Sequence, residues 1–440
     1  MAVIGAPAEH PSAPETDALR GRVLEALRDA GAVATGIAGV DVLDRARRTI
    51  EGRRDVGLHD QMAFTFRNPA RSSDPCRALP SARSAVVVAV AYESERGPAP
   101  GPLMAEVARY AASDTYQELR RTLRAGVQVL RDEGHRGVVV ADDNALVDRA
   151  MAERAGLGWT GKNTNLLVPG VGSWVVLGSI LTDVELEPAP VENRSEITRG
   201  CGGCTRCLEA CPTDALVAPG VMDASRCLSW LLQRTGSFPR EFRVALGVRI
   251  YGCDDCQEVC PPSRPPRGSR DATARVEAPG DAHAGDAHAG DAHAGDADAG
   301  DANAGSAPAG AYVELSDLLT LDDESLLERF GAWYIPRRDP RYLRRNALVA
   351  LGNAAAGSPA PGGTVRELLR RYLADEDPLL VQHAAWAARR SGQDRLLTEG
   401  PWATHPEVLA EVSRTHPTLE ETLAAPAVDR ETPVNGPGQR

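Results

Sequence analysis

The stretch CGGCTRCLEACPTDAL, residues 201–216, places four cysteines within eleven residues and follows the last with proline. Cys201, Cys204, Cys207 and Cys211 are spaced C-x2-C-x2-C-x3-C ahead of Pro212, the run with which bacterial ferredoxins hold [4Fe–4S] clusters. Such short spacings let one turning backbone offer three thiolates to three irons, while the fourth leaves on a new helix toward a neighbouring cluster. One run is therefore incomplete. The remainder lies downstream in YGCDDCQEVCP (251–261), where Cys253, Cys256 and Cys260 repeat the pattern with one ligand fewer and Pro261 follows. Cys227, between the two runs, supplies the eighth thiolate. With the crossed ferredoxin topology, Cys201, Cys204, Cys207 and Cys260 are expected on one cluster, and Cys211, Cys227, Cys253 and Cys256 on the other.

Zinc is the competing occupant, since paired CxxC motifs serve it well. It leaves the third cysteine at the same short spacing and the two Cys-Pro ends unexplained. Nine cysteines occur in 440 residues and eight fall between Cys201 and Cys260; Cys76 stands alone in SSDPCRALP and reads as an ordinary thiol. Clustered cysteines in a reducing compartment ligate metals more often than they form disulfides. The first residues, MAVIGAPAEHPSAPETDAL, have neither a basic nor an apolar leader segment, and no run of 18 apolar residues occurs, so a soluble, cytoplasmic protein without a membrane partner is expected.

Upstream, residues 18–30 look helical, SAVVVAVAY (84–92) reads as a buried strand, and 104–132 as a helical stretch. GVVVA (137–141) is a second strand, 144–156 a helix, and 172–186 returns to strand character. Alternating strands and helices predict an α/β (α+β) domain over residues 15–190. A ferredoxin-like domain with two [4Fe–4S] clusters follows over 191–262. Residues 263–311, with GDAHA three times and then GDADA and GDANA, cannot bury enough surface to fold and form a linker. His283, His288 and His293 within it are weak metal ligands at most. In the tail, 312–425, RRNALVALGN (344–353) and VQHAAWAARR (381–390) echo each other at an offset of 37 residues around TVRELLRRYL (364–373), close to the period of two-helix HEAT-type repeats.

The net charge of −12 argues at first against a nucleic-acid partner. The average hides local structure: many aspartates lie in the repetitive tract, whereas RRDPRYLRR (337–345) carries five arginines against one aspartate. Those arginines are either a phosphate-binding stripe or a solvated helix face.

GLGWTGKN (156–163) resembles two phosphate-binding patterns and satisfies neither. A helix precedes it where a dinucleotide site needs a strand, and Asn163 stands where a phosphate loop needs Ser or Thr. Lys162 is the single lysine beside 48 arginines, so a compact ammonium on a flexible stem is either required there or retained by chance. Asp142 and Asp143 directly follow the strand GVVVA; Asp143 or Asn144 suits a helix cap, which leaves Asp142 free for general-acid work.

With these residues in place the chain resembles the epoxyqueuosine reductases, over about residues 20–260 and again over about 312–395. The motifs that carry the resemblance are DNALVDRAMAERAGLGWTGKN, GSWVVLG, CGGCTRCLEACPTDAL, RCLSWL, RIYGCDDCQEVCP and RRNALVALGN. RYAASDTYQ (109–117) departs from the family, which usually has Asp-Tyr-His where Thr115, Tyr116 and Gln117 stand. The resemblance implies a catalytic domain that binds base-off cobalamin beside the two clusters and reduces epoxyqueuosine to queuosine at the tRNA wobble position. It implies Asp142 as proton donor, and Arg67, Thr160, Lys162, Asn163, Ser229 and Asp254 in motifs around the cobalamin. It further implies a HEAT-like tail that helps hold the tRNA, an external donor such as a flavodoxin or ferredoxin, and a monomer. Arg337, Arg338, Arg341, Arg344 and Arg345 are then the candidates for tRNA contact. This chemistry agrees with the residues, since removing an epoxide oxygen needs electrons delivered singly through clusters and an acid for the leaving oxygen.

Two other readings compete: a corrinoid reductase of the reductive-dehalogenase kind, which the missing export signal and the helical tail disfavour, and a ferredoxin-type electron carrier. The carrier reading leaves the N-terminal domain, Asp142 and Lys162 without work.

Overall fold

The structure is a computed structural model that describes residues 13–92, 95–188, 199–263, 310–356 and 362–413. The expected linker 263–311, with its three histidines, lies outside the described residues apart from its ends, as does the tail beyond 413.

The N-terminal region contains α1 (Ala13–Asp29), β1 (Ala32–Gly39), α2 (Asp44–Asp55), α3 (Phe64–Arg67), β2 (Ser84–Ala91), β3 (Met104–Val107), α4 (Thr115–Asp132), β4 (Gly137–Ala141), α5 (Asp148–Arg154), β5 (Trp159–Thr160), β6 (Leu166–Leu167) and β7 (Val175–Thr182). Four strands form an antiparallel sheet in the order β1-β2-β7-β4. Alternation along β2 explains why it is apolar throughout. Val86, Val88 and Val90 pack with Val23 and Leu27 of α1 and with Leu119 and Leu123 of α4, whereas Ala85, Val87 and Ala89 pack on the opposite face with Leu43, Leu146 and Met151. A sheet covered on both faces needs no polar alternation, and each buried valine contributes about 1.5–3 kcal/mol.

The expected helix over 104–132 is corrected to a strand followed by a helix. Met104–Val107 is β3, and α4 starts at Thr115, where the Asp114 carboxylate accepts the Gln117 N–H at 3.0 Å and caps it. Nothing local marks β3 as a strand, because its partners are remote. β8 (Arg249–Tyr251) pairs with it in parallel and β9 (Tyr312–Glu314) antiparallel. The helix expected over 144–156 is shorter, beginning at Asp148, because the Asp143 carboxylate accepts the Ala145 N–H at 2.7 Å and holds a turn first. β1 has no counterpart among the expected elements.

The cysteine region carries α6 (Arg206–Glu209), α7 (Leu228–Gln233), β8 and α8 (Asp255–Glu258), and α6 packs on α8. In the tail, α9 (Arg341–Ala356), α10 (Gly363–Leu373) and α11 (Pro378–Arg390) coincide with the three helical segments read from sequence. A Cβ added to Gly352 of α9 would stand 2.9 Å from the Ala387 Cα of α11, so small residues let these two backbones approach. One continuous core joins Val107, Leu231, Phe238 and Ile250 to Val313, Leu348 and Trp386. The tail is thus packed into the cysteine region. Among the described residues no helix is long and apolar enough to cross a membrane.

Candidate active site and cluster centre

Burial pushes the Cys207 thiol up, with Cys201 and Cys204 adding to it, and pushes up Cys260, with Cys201 and Cys207 adding. Cys260 and Cys201 also pack together beside Trp159 and Leu167. On the other side burial raises Cys256 well above the usual thiol range, followed by Cys253, Cys227, Cys211 and, last, Cys207. The electrostatic reach of the thiols thus links Cys201, Cys204, Cys207 and Cys260, and links Cys256 with Cys253, Cys227 and Cys211, with Cys207 between the two sets. Crowded sulfurs resist ionisation because each thiolate repels the next, and cationic irons reverse that cost. Among the described residues no three His, Cys, Asp or Glu side chains converge on the position of a single ion. A [4Fe–4S] cube takes one thiolate at each of four separate corners, and the two sets of four cysteines offer that number of donors.

The hairpin β5–β6 carries the glycines, Lys162 and Asn163. A Cβ on Gly158 would fall 2.0 Å from the Leu167 carbonyl oxygen, so the glycine pattern serves the close approach of two strands. At its tip the Lys162 Nζ donates to the Gly202 carbonyl at 2.8 Å, and the buried Asn163 side chain donates to the Cys256 carbonyl at 3.3 Å. The Lys162 carbonyl in turn accepts the Gly220 N–H at 2.9 Å. One loop thus grips both cysteine groups. Thr160, on β5, is exposed and its N–H donates to Glu153 Oε1 at 2.6 Å.

Asp142 leaves the carboxyl end of β4 with φ +54°, a left-handed conformation that aspartate tolerates better than most residues. Water reaches its side chain, yet the surrounding protein desolvates it enough to raise its carboxyl; Arg120 opposes the rise and Asp143 adds to it. Asp148, six residues on, lies within electrostatic reach of Asp142. Burial and then Asp142 hold its carboxyl well up, and its Oδ1 is buried without a hydrogen-bond partner among the described residues. Arg149 donates to the Thr164 carbonyl at 2.6 Å. Two tyrosines share the surroundings of Asp142: burial and then Asp142 raise the Tyr116 hydroxyl, and burial brings Tyr251 to about 12, with Asp142 contributing. The sequence reading singles out neither Asp148, Arg149 nor Tyr251. The first two lie within DNALVDR, six and seven residues after Asp142, a signal that could have found them.

Arg67 ends α3 and is exposed. The segment before it is tied to the cysteine region, since Asp60 Oδ2 accepts from Trp230 Nε1 at 2.9 Å and from Arg234 at 3.0 Å, and the Leu58 carbonyl accepts the Ala224 N–H. Ser229 is half-buried in α7, and its N–H, with that of Trp230, faces the Cys227 sulfur.

A family described as "4Fe-4S double cluster binding domain" matches residues 200–263. An epoxyqueuosine reductase of Vibrio cholerae is 32% identical over 366 residues, covering 81% of this chain and 88% of the relative. That of Bacillus subtilis is 30% identical over 382 residues, covering 85% and 88%. The chain belongs to the epoxyqueuosine reductase family. Among solved structures, an epoxyqueuosine reductase with an epoxyqueuosine-modified tRNA stem loop matches with a TM-score of 0.69 at 28% identity, covering 92% of this chain and 96% of that one. The B. subtilis enzyme, solved with its catalytic aspartate loop swung out of the active site, matches with a TM-score of 0.69 at 27% identity, covering 92% and 98%.

One expectation for this epoxyqueuosine reductase family member is corrected. Arg345 is not a surface cation. It is fully buried, and its guanidinium donates to the carbonyls of Leu231, Leu232, Arg234 and Gly236 and to Asn346 Oδ1, closing the carboxyl end of α7. Asp254, between Cys253 and Cys256, is tied through its carboxylate to the N-terminal region. It is 4% exposed, and its Oδ2 accepts from Arg96 at 3.2 Å and from the backbone and side chain of Arg109 at 3.0 Å each, which locks the cysteine region to the N-terminal one. Of the other arginines, Arg344 bonds Asp323 and the Leu321 carbonyl, and Arg341 pairs with Asp339 and Asp377. Arg337 and Arg338 remain exposed.

Proposed function

We propose that the chain reduces epoxyqueuosine to queuosine in the anticodon loop of tRNA, with Asp142 as the acid that protonates the leaving oxygen. Two electrons and two protons convert the epoxide to an alkene and water. The observation that carries this reading is the placement of Asp142 at the carboxyl end of β4 in a left-handed conformation, near Asp148, Tyr116 and Tyr251, where burial raises its carboxyl and so favours the protonated form that an acid needs. The B. subtilis enzyme, whose catalytic loop is named for an aspartate, supports the same role for Asp142, which has a left-handed φ of 54°.

Cys201, Cys204, Cys207 and Cys260 are assigned to one cluster, and Cys211, Cys227, Cys253 and Cys256 to the other. Base-off cobalamin, when bound, supplies the two-electron reducing centre, and the clusters supply it with single electrons. The residues present fit such a group. Lys162 and Asn163 bond the loops of both cysteine groups, His59 Nδ1 beside Phe66 is buried without a partner among the described residues, and Arg67, Thr160 and Ser229 are assigned to the same surroundings. The α9–α11 helices form HEAT-like units, and the tail holds the RNA through Arg337, Arg338 and Arg341. The protein acts in the cytoplasm as a monomer, fed by a flavodoxin or ferredoxin.

The test is anaerobic purification with iron, sulfide and corrinoid analysis, followed by incubation with epoxyqueuosine-containing tRNA, a reductant and cobalamin, and mass spectrometry of the nucleoside. Loss of one oxygen mass is expected. Bound clusters and corrinoid with an unchanged nucleoside would point to another substrate.

A further inference from the structure

Of the large apolar side chains among the described residues, Tyr334 is the most exposed, at 58%. A single exposed ring is ordinary on a protein surface, but the mounting of this one is not. Its N–H donates to the Tyr251 hydroxyl at 2.9 Å. The preceding Trp333 stacks on the Tyr251 ring, with centroids 4.8 Å apart and planes 9° from parallel, and donates its Nε1–H to the Ala111 carbonyl at 3.3 Å. Pro336 is buried just beyond. The backbone beneath the exposed ring is therefore fixed from both sides.

Two consecutive arginines follow in left-handed conformation, Arg337 at φ 55° and Arg338 at φ 50°. For residues with a Cβ such angles persist only where the surroundings impose them, and they gather at ligand clamps. Arg338 donates to the Gly331 carbonyl at 3.3 Å, while the Arg337 guanidinium is exposed and has no hydrogen-bond or ion-pair partner among the described residues. Tyr251, which carries this platform, also packs against the Tyr110 ring, with centroids 6.1 Å apart, and lies within electrostatic reach of Asp142.

We propose that Tyr334 is a stacking platform for an unpaired RNA base next to the nucleoside presented to Asp142, with Arg337 on the adjoining phosphate. A rigid aromatic face beside a free cation is the pair of groups that single-stranded RNA recognises: the ring takes the base, and the guanidinium takes the backbone. This inference rests on the tRNA reading above, and the experiment separates the two.

Binding of the full, cluster-loaded chain to an anticodon stem-loop RNA is measured by fluorescence anisotropy at several salt concentrations. Y334A weakens binding roughly five- to hundredfold at unchanged iron content, whereas Y334F, which keeps the ring face, stays within about twofold of the parent. R337Q lowers the slope of log affinity against log salt by about 0.7, the single-strand value for one phosphate contact. Equal binding by Y334A and the parent would overturn the proposal, as would equal loss in Y334A and Y334F or an unchanged slope in R337Q. Normal RNA binding by Y334A with slowed reduction by a flavodoxin would assign the ring to a protein donor and also overturn it. Failure of the parent itself to bind RNA would instead remove the tRNA reading.

Discussion

The Lys162 ammonium donates to the carbonyl of Gly202, inside the turn between Cys201 and Cys204. The one lysine among 48 arginines thus holds a positive charge against the loop assigned to a cluster whose own charge becomes more negative with each electron accepted. K162Q is expected to lower the midpoint potential of one cluster by on the order of tens of millivolts at constant iron content, and K162R to restore most of it. Potentiometric titration followed by electron paramagnetic resonance reads this directly. An unmoved potential would make the lysine a mechanical tie alone.

Asp142 must be protonated to act as an acid, and burial raises its carboxyl, so activity should persist above the ordinary aspartate range and fall as pH rises through the raised value. D142N should lose about 10²–10⁴ in turnover while retaining iron and RNA affinity. Arg120 opposes the rise, so R120Q should carry the descending limb of the rate profile to higher pH. A limb that stays in place in R120Q would separate the kinetic acid from Asp142.

R345A is expected to cost at least about 3 kcal/mol in unfolding free energy, because it takes this donor from the carbonyls of Leu231, Arg234 and Gly236 and leaves Leu232 with Asn346 Nδ2 alone. It should leave the salt dependence of RNA binding unchanged in whatever fraction remains folded. Denaturant unfolding and anisotropy against salt measure the two effects, and a shallower slope would return Arg345 to the RNA-binding set.

G158A should destabilise the β5–β6 hairpin by about 2 kcal/mol or more, since the added Cβ meets the Leu167 backbone rather than a yielding side chain. Because the same hairpin presents Lys162 and Asn163, the variant should retain less iron after anaerobic gel filtration. Full iron retention would show that the cysteine loops hold without it.

What is legible in the sequence is whatever depends on neighbours in the chain. The cysteine spacings, the double-sided apolar run of β2 and the three tail helices are local patterns, and the structure has cysteine groups and elements at those places. Asp142 is legible from its position after a strand. β3 reads as helix because MAEV becomes a strand only beside residues more than a hundred positions away. Arg345 reads as exposed because RRDPRYLRR looks like a charged stripe, and nothing local tells that one of its arginines points at the end of α7. Asp254 sits between two cysteines, yet its partners Arg96 and Arg109 come from the other end of the fold.

The strand order β8-β3-β9 takes one strand from each of three stretches that the sequence divides into separate units. A chain ending at residue 263 is therefore not the same molecule with an arm removed. It would strip Val313 and Leu315 from the apolar face shared with Val107 and Leu231, and it would leave one side of β3 as an open edge that can recruit strands from other chains. Precipitation of such a fragment would come from that unsealed edge, and its inactivity would say nothing about which residues touch RNA.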